Sequence, residues 1–319
     1  MIDDKLSVPD SQLGARNISG GHSMNNILHA GIRWLACLVC VVSAQAVAEI
    51  QTFSGQQAFE ISRKQTCGTL DDGVTRYGVF EGRAYSRVPG EKDRHLFNVL
   101  GVNTRQCGTV TDPERGAGFR SVSREVMLYL DSETNQVLDR WENPWSGETV
   151  EVVHVANDPV NMREPRFALD DSGQPRTTAL RRYGEMLFSS SEVPLFYDNP
   201  LGGDYQQYVG GTYHAMEIFN SSYHADELLG EVSLSRSYVA WTRVAQWLPW
   251  MQMGSRPGIM VINATGTSVF DRGVIPDPLM SVLEDRYPSY FEPPPVDDAR
   301  PNETSWTVFR KFIDASTTE

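Results

Sequence analysis

Three segments of the sequence carry side chains that could bind a small molecule and transfer protons on it. The first is rich in tryptophan and methionine and contains Trp241, Arg243, Trp247, Trp250 and Met251. If this segment is a strand, Trp241 and Arg243 share one face, because side chains alternate with a period of two. Indole walls suit a flat hydrophobic ligand, and an arginine beside them could orient a carboxylate or stack on a ring. The alternative is that these large side chains only fill the core.

The second segment, residues 152–158, places His154 among apolar neighbours. Burial disfavours the charged imidazole, so we expect a lowered pKa and a neutral ring. A neutral imidazole in a dry pocket is a competent general base. The alternative is a structural histidine whose ring is satisfied by a backbone carbonyl.

The third segment contains Arg124 and Glu125, which point to opposite faces of a predicted strand. One of the two charges must therefore face the interior, where an unpaired charge is costly. We expect the inward charge to meet an oppositely charged partner such as Glu81, Arg83 or Arg87. The pair could be structural, or it could form the polar end of a pocket that holds an acid–base carboxylate.

These segments predict a site for a small apolar or aromatic molecule, with His154, Glu125 and Arg243 as candidate catalytic residues. The candidate ligand-binding residues are Tyr85, Arg124, Tyr129, His214, Trp241, Trp247, Trp250 and Met251. One hypothesis is a cofactor-independent isomerase, lyase or hydrolase, and the other is a non-catalytic lipocalin-like carrier. Convergence of the three candidate catalytic side chains favours the enzyme, whereas an all-apolar cavity favours the carrier. A filled structural protein without a pocket is a third hypothesis.

The sequence gives little support for a metal or another cofactor. His214 and Glu217 lie near His224 and Asp226, but in a strand His214 and Glu217 face opposite sides. The sequence has no zinc-type histidine spacing, no G-x-S-x-G, no G-x-G-x-x-G and no P-loop. We therefore predict neither a metal nor a nucleotide cofactor.

The elements that would position these residues are mostly strands. Polar and apolar residues alternate in runs at residues 75–88, 95–109, 119–130, 136–140, 149–156, 178–189, 193–197, 208–220, 233–244 and 259–263. A short helix at residues 54–64 precedes them, and a helical strap at about residues 275–315 follows, with helices at 278–286 and after Thr304. The predicted fold class is mainly β, an antiparallel β-barrel of the lipocalin or calycin type with short terminal helices.

The beginning of the chain resembles an export signal. A basic start at Met24, an apolar run at residues 34–42 and a small-residue end predict a signal peptide over residues 24–48, cleaved after Ala48. Residues 1–23 would be a mis-assigned start or a disordered lead, and residues 49–319 a single domain. We therefore predict a periplasmic or secreted protein with no membrane span after cleavage. In such a compartment Cys67 and Cys107 could pair, or they could remain buried thiols.

The formal net charge of −13 at pH 7 argues against nucleic acid and anionic membranes as partners. The expected partner is a small hydrophobic or aromatic molecule, and the sequence leaves the oligomeric state open.

Several unusual sequence strings resemble the Domain of Unknown Function 1838 (DUF1838) family. They are residues 81–85, 88–97, 123–125, 130–131, 141–144, 147–160, 247–251, 253–254 and 304–306. The resemblance extends from about Gln57 to Ile313. It implies no reaction and brings no catalytic residues, so function has to be argued from the residues themselves.

Overall fold

The computed structural model describes residues 49–205, 207 and 210–317. The predicted signal peptide and the lead before it lie outside the described residues.

Thirteen strands and four helices are described. The strands are β1 (Glu49–Ser54), β2 (Arg76–Arg87), β3 (His95–Asp112), β4 (Gly116–Leu130), β5 (Arg140–Glu142), β6 (Thr149–Glu151), β7 (Val155–Asn157), β8 (Arg166–Phe167), β9 (Thr177–Tyr183), β10 (Met186–Asp198), β11 (Thr212–His224), β12 (Tyr238–Ala245) and β13 (Ile259–Val269). The helices are α1 (Gly55–Cys67), α2 (Ala225–Leu229), α3 (Leu279–Arg286) and α4 (Ser305–Ser316).

Eleven of the strands form one antiparallel sheet. Its order is β1-β9-β10-β11-β12-β13-β2-β3-β4-β7, with β8 also paired to β4, while β5 and β6 form a separate hairpin. The fold is therefore mainly β, as the alternation predicts. The closed barrel stays a prediction, because β1 and β7 end this order and are not paired with each other in the described part of the chain.

One face of the sheet carries the main hydrophobic core, and we call it the inner face. It bears Phe97, Tyr129, Trp241 and Ile262, whose strands place them in register on the same side. The β5–β6 hairpin, a single 3-10 turn at Pro249–Met251 and α4 pack against this core. The tryptophan-rich segment thus covers one end of the inner face.

The opposite, outer face of β2, β3 and β4 carries a second core. Leu100, Val126 and Leu128 pack there against Leu279 and Leu283 of α3. The predicted strap is therefore two helices on different faces, since α3 covers the outer face and α4 the inner one.

Helix α1 closes the other end of the inner face. Its Ile61 packs with Leu187 of β10, and its Phe59 contacts Phe119 of β4 with ring centroids 5.6 Å apart. Cys67 at its end forms a disulfide with Cys107 of β3, with a Cα–Cα distance of 5.8 Å. The two cysteines are thus paired, and α1 bridges strands that lie far apart in the sheet order.

Most predicted strands and helices match described elements, but three predicted strands do not. The predicted strand at residues 136–140 overlaps β5 only at Arg140, and the one at residues 149–156 is divided between β6 and β7, which belong to different sheets. The predicted strand at residues 178–189 is two strands, β9 and β10, joined at Gly184 and Glu185. Gly184 has a φ of 57°, a left-handed conformation that glycine adopts without strain and that permits the tight turn. Among the described residues, no helix is both long and apolar enough to span a bilayer.

Candidate functional site

The middle of the inner face carries a group of charged and polar side chains between two apolar ends. We call it the interior polar layer, and it consists of Asn103, Arg105, Glu125, Glu217 and Arg243. Asn103 lies opposite Glu125 across β3 and β4, and Glu217 lies opposite Arg243 across β11 and β12. Strand register alone therefore brings these side chains to the same face in two neighbouring pairs.

Asn103 lies between Arg105 and Glu125. The Arg105 Nε donates to Asn103 Oδ1 at 3.2 Å, and the Asn103 amide lies close enough to the Glu125 carboxyl group to lower its pKa. Burial and the nearby Glu217 carboxylate raise the pKa of Glu125 to about 7, although Arg243 and Arg105 act in the opposite direction. A carboxyl group with this pKa can both accept and donate a proton near neutral pH.

Arg243 forms the centre of the second pair. Its Nη1 donates to Glu217 Oε1 at 2.9 Å, and its Nη2 lies 3.5 Å from the Tyr213 hydroxyl. Burial lowers the pKa of Arg243, but the Tyr213 and Glu217 side chains raise it by more, so the guanidinium stays charged. The Arg243 and Glu217 side chains keep 16% and 17% of their surface exposed, so the pair is partly accessible to solvent.

Glu125 of the first pair and Arg243 of the second interact, although their strands, β4 and β12, are four strands apart in the sheet order. Neighbouring strands are about 4.8 Å apart, so β4 and β12 would be about 19 Å apart in a flat sheet. The charges of Arg243 and Glu217 nevertheless act on Glu125, and that of Arg243 acts on Tyr129. The sheet must therefore curve around its inner face.

Aromatic rings form the apolar end of the site next to Tyr129. The Tyr129 ring lies 4.9 Å from Phe97 and 5.2 Å from Trp250, and Trp250 lies 5.7 Å from Trp141. Burial is the main cause that raises the pKa of the Tyr129 hydroxyl, while Arg243 and Trp250 lower it. Tyr129 therefore remains a neutral hydrogen-bond donor at physiological pH.

Several buried polar atoms on the inner face have no hydrogen-bond partner among the described residues. They include the donors Trp241 Nε1, Trp250 Nε1, Trp306 Nε1, Arg76 Nε and Arg243 Nε, the Tyr129 hydroxyl, and the acceptor Asn157 Oδ1, which lies opposite Glu125. The Trp250 indole is close enough to act on the Tyr129 hydroxyl, yet the two atoms do not reach hydrogen-bond geometry. Leaving a buried polar group unpaired costs roughly 1–3 kcal/mol, so these atoms require ordered water or a bound molecule as a partner.

Gly101 lets an aromatic ring enter the site. A Cβ at this position would lie 2.3 Å from the Phe80 Cζ, and the Phe80 ring packs 5.5 Å from Trp241. We expect Gly101→Ala to displace Phe80 and to lower the free energy of unfolding by about 1–3 kcal/mol, as overpacking does. Urea unfolding and intrinsic tryptophan fluorescence measure both effects, and Gly78→Ala, where the nearest atom is 3.7 Å away, is the control. Equal losses in the two variants would contradict this account.

His154 lies outside the interior polar layer. Its Nδ1 accepts the backbone N–H of Tyr129 at 3.2 Å, and its ring stacks on Tyr129 with centroids 5.9 Å apart. Burial is the main cause that lowers the pKa of His154 to about 4, as the sequence predicts. The three candidate catalytic residues therefore do not converge. Glu125 and Arg243 interact with each other, whereas His154 binds the backbone of Tyr129.

The prediction that Glu125 meets a charged partner among Glu81, Arg83 and Arg87 is wrong. Glu81, Arg83 and Arg87 lie one residue out of phase with inward-facing Ala84 and so face outward. Arg124 also faces outward, where its Nε lies 3.0 Å from Asp158 Oδ1 and its Nη1 donates to two backbone carbonyls. Arg124 therefore hydrogen-bonds to the segment at residues 289–292 and does not line the interior.

Two other candidate ligand-binding residues belong to the packed core. The Trp247 Nε1 donates to the Arg256 carbonyl at 3.1 Å, and Met251 is fully buried with its carbonyl bonded to Asn143. Both support the 3-10 turn that carries Trp250, which agrees with the core alternative for this segment.

Tyr85 and His214 lie away from the inner face. Tyr85 stacks on His95 at 5.0 Å, and exposed His214 packs against Phe196 at 4.9 Å. His214 and Glu217 do face opposite sides of β11, as their spacing predicts. In the part of the chain that the structure describes, no group of three histidine, cysteine or acidic side chains could hold a metal.

The sequence reasoning missed Asn103 and Arg105 and assigned Glu217 only to a weak metal site. A signal for the first two exists: Phe97, Val99 and Gly101 fix the inward phase of β3, and Asn103 and Arg105 continue it. Polar residues at inward-facing positions of a strand are unusual, so they indicate candidate functional residues.

The outer face holds a separate groove of about 1090 Å³. Its rim includes exposed Ile50, Phe188, Tyr238 and Val274, and serines and threonines form much of its floor. The groove contains none of the predicted site residues. It is a second, chemically simpler surface on which an apolar molecule could bind.

Comparison with known protein families gives one finding. Residues 74–313 match the family model described as "Protein of unknown function (DUF1838)", which covers well over half of the chain. No curated protein matches the sequence.

Proposed function

Since this chain belongs to the DUF1838 family, a family described only as proteins of unknown function, we propose its function from its own side chains. It binds a small apolar or aromatic molecule on the inner face and carries out cofactor-independent acid–base chemistry on it. Glu125 is the proton-transfer group, and Arg243 stabilises negative charge in the bound molecule.

One observation carries this proposal: Glu125, with a pKa of about 7, lies within the electrostatic reach of an accessible Arg243–Glu217 pair. A carboxylate placed only for stability would gain from a direct arginine partner. Glu125 instead lies opposite Asn103, whose amide lowers the carboxyl pKa by less than burial and Glu217 raise it. Strongly shifted pKa values of this kind are enriched at functional sites.

His154 has a positioning role in this proposal. It accepts the backbone N–H of Tyr129 at the edge of β4 and stacks on the Tyr129 ring, so it fixes the ring beside the bound molecule. The catalytic pair is then Glu125 and Arg243.

We also propose that the sheet curls into a barrel-like wall and that the protein is exported. The electrostatic contact between β4 and β12 and the bridging position of α1 support the curl. The Cys67–Cys107 disulfide supports export, because disulfides persist in oxidising compartments.

Native mass spectrometry of the protein purified from its own cells tests the site. Trp241 on the inner face and Tyr238 in the outer groove lie on the same strand, β12, and form a matched pair. We expect a retained apolar or aromatic molecule in the wild type and in Tyr238→Leu, and its loss in Trp241→Leu. Thermal unfolding of each variant shows that the loss is not a folding defect.

A non-catalytic carrier is the second candidate function, and the outer groove favours it. Its apolar rim and hydroxyl-lined floor contain one acidic and one basic side chain, Glu81 and Arg181, and no histidine. If the retained molecule is lost in Tyr238→Leu and kept in Trp241→Leu, the carrier replaces the acid–base enzyme as the proposal.

A further inference from the structure

Strand register arranges the residues of the outer groove in two parallel rows. Its volume of about 1090 Å³ is slightly above the roughly 300–1,000 Å³ of ordinary ligand pockets, so the groove can hold a long molecule. The first row, with one residue from each of β9 to β13, is Arg181, Phe188, Ser222, Tyr238 and Thr267. The second row, from β10 to β13 and then β2, is Ser190, Asn220, Ala240, Thr265 and Glu81.

Two exposed aromatic rings lie on either side of Ser222 in the first row. Phe188 and Tyr238 keep 39% and 40% of their surface exposed. Their strands are two apart in the sheet order, which separates the two residues by about 10 Å at about 4.8 Å per strand. Tyr183 packs against Phe188 at 5.6 Å, and His224 packs against Tyr238 at 6.1 Å. The groove therefore presents two separate aromatic surfaces, each supported by a neighbouring ring.

The polar groups beside these rings are free to bind a ligand. The Ser222 hydroxyl, the Asn220 amide and the Thr265 hydroxyl make no side-chain hydrogen bond to another described residue. Hydroxyl and amide groups both donate and accept hydrogen bonds. An apolar occupant would remove water from them without replacing its hydrogen bonds, which costs free energy. A ligand with hydroxyl groups of its own would pair with them instead.

The formal charges of the groove cancel. Among the described residues that line it, Glu81 and Arg181 are the only charged ones, and their strands are five apart in the sheet order. The chain as a whole has a formal net charge of −13 at pH 7, which disfavours an anionic ligand. An uncharged ligand therefore matches the groove best.

The open rim leaves one side of a bound molecule in water. Ile50 and Val274 on the rim keep 66% and 53% of their surface exposed. An apolar molecule would keep much of its surface in contact with water there and would gain little from burial. A sugar ring suits both surroundings, because the C–H groups on its faces pack on aromatic rings while its hydroxyl groups bind protein and water.

We propose that the outer groove binds a neutral glycan, that is, a chain of uncharged sugar units. Phe188 and Tyr238 pack against the C–H faces of two sugar units, and Ser222, Asn220 and Thr265 bind their hydroxyl groups. The groove is separate from the inner face, so this inference does not rest on the proposed acid–base function. It also gives the groove a different ligand from the apolar cargo of a carrier.

Calorimetric titration of the purified protein with five probes tests this inference. Cellopentaose, maltopentaose and N-acetylchitopentaose are neutral glycans, and the acidic pentagalacturonate and the apolar n-octanol are the comparisons. We expect at least one neutral pentasaccharide to bind, and to bind at least about 10-fold more tightly than pentagalacturonate and n-octanol. Saturation-transfer NMR should show its ring C–H protons in contact with the protein.

Matched variants locate the bound glycan. We expect Phe188→Ala and Tyr238→Ala each to weaken its binding about 10-fold through the loss of one ring contact. Phe196→Ala is the control, because Phe196 is an exposed ring on the same strand as Phe188 but lies outside the groove. It should bind the glycan as the wild type does, and thermal unfolding shows that each variant is folded.

Thr265→Val distinguishes a glycan from an apolar ligand. The substitution removes a hydroxyl group and keeps the volume of the side chain. We expect it to weaken glycan binding about 3- to 10-fold, as loss of one hydrogen bond does, and not to weaken binding of n-octanol.

Several results would overturn the inference. One is that none of the three neutral pentasaccharides binds, and another is that pentagalacturonate or n-octanol binds more tightly than all of them. A third is that Phe188→Ala and Tyr238→Ala bind the glycan as the wild type does. Trp241→Leu, on the inner face, should keep the glycan. If it loses the glycan while Tyr238→Ala keeps it, the glycan binds the inner face and the groove assignment is wrong.

Discussion

Replacing Arg243 with methionine is expected to lower the free energy of unfolding by roughly 3–5 kcal/mol at pH 8, as removal of one partner from a buried ion pair does. Methionine keeps much of the apolar volume, so the loss comes mainly from charge. Glu217 would lose the guanidinium that its Oε1 contacts at 2.9 Å, and Glu125 would lose a cation that lowers its pKa. Urea unfolding at fixed pH measures the change.

The pH dependence separates charge from packing in the Arg243→Met variant. Without the cation, the folded-state pKa of Glu125 rises above the wild-type value of about 7, so the variant's extra loss of stability develops as pH rises above about 7. The loss should therefore be smaller at pH 5 than at pH 8. An equal loss at both pH values would mean that packing, not electrostatics, explains the effect.

The double variant Arg243→Met with Glu217→Gln is the matched control. It removes both charges of the pair, so no carboxylate remains next to a missing guanidinium. We expect it to recover more than half of the stability lost in Arg243→Met at pH 8, since neighbouring charges do not contribute additively. A double variant that is as unstable as the single one would contradict the pairing.

The strand pattern was predictable because the two faces of the sheet differ in polarity. On β4 and β12 the period of two identifies each inward residue, so the shared face of Trp241 and Arg243 follows directly from the sequence. The hairpin at Gly184 was hidden because the alternation continues on both sides of a two-residue turn.

The candidate site was only partly predictable, because its contacts join strands that are not neighbours. The sequence places Glu125 on a strand but does not show that β4 curves toward β12, so adjacent arginines seemed the natural partners. The curl brings Arg243 within reach instead. For His154 the sequence predicts burial and a neutral ring, but not that its acceptor is used by the backbone of Tyr129.

The second large effect is a gain of stability in Glu125→Gln. The folded-state pKa of Glu125 is about 7, above the ordinary value of 4.5, so the folded protein prefers the protonated form. The contribution to stability is complete below pH 4.5 and is lost as pH rises to 7 and above. Glutamine resembles the protonated form, so we expect the variant to be up to roughly 3 kcal/mol more stable than the wild type at pH 8, with a smaller gain if solvent screens the half-buried carboxylate.

Such a gain would have a functional meaning. Suppose that Glu125 reduces stability near neutral pH and that its removal abolishes activity. Glu125 would then serve catalysis at the expense of stability. Glu133→Gln, an exposed carboxyl on the turn after β4, is the control and should change the free energy of unfolding by less than about 0.5 kcal/mol. If Glu125→Gln were destabilising at pH 8, Glu125 would instead be a structural ion-pair partner.

His154 should produce the opposite pH dependence in the same range. Its folded-state pKa is about 4, below the ordinary 6.5, so its contribution is complete above pH 6.5 and is lost as pH falls towards 4. As pH falls from 6.5 to 4.5, the wild type gains stability from Glu125 and loses about as much from His154, so the two effects nearly cancel. Glu125→Gln should then lose stability on acidification, and His154→Gln, which keeps an acceptor for the Tyr129 N–H, should gain it. Unfolding free energies of the wild type and the two variants at pH 4.5, 5.5, 6.5 and 8 measure the three profiles. Parallel profiles would show that Glu125 and His154 do not have these shifted pKa values in the folded protein.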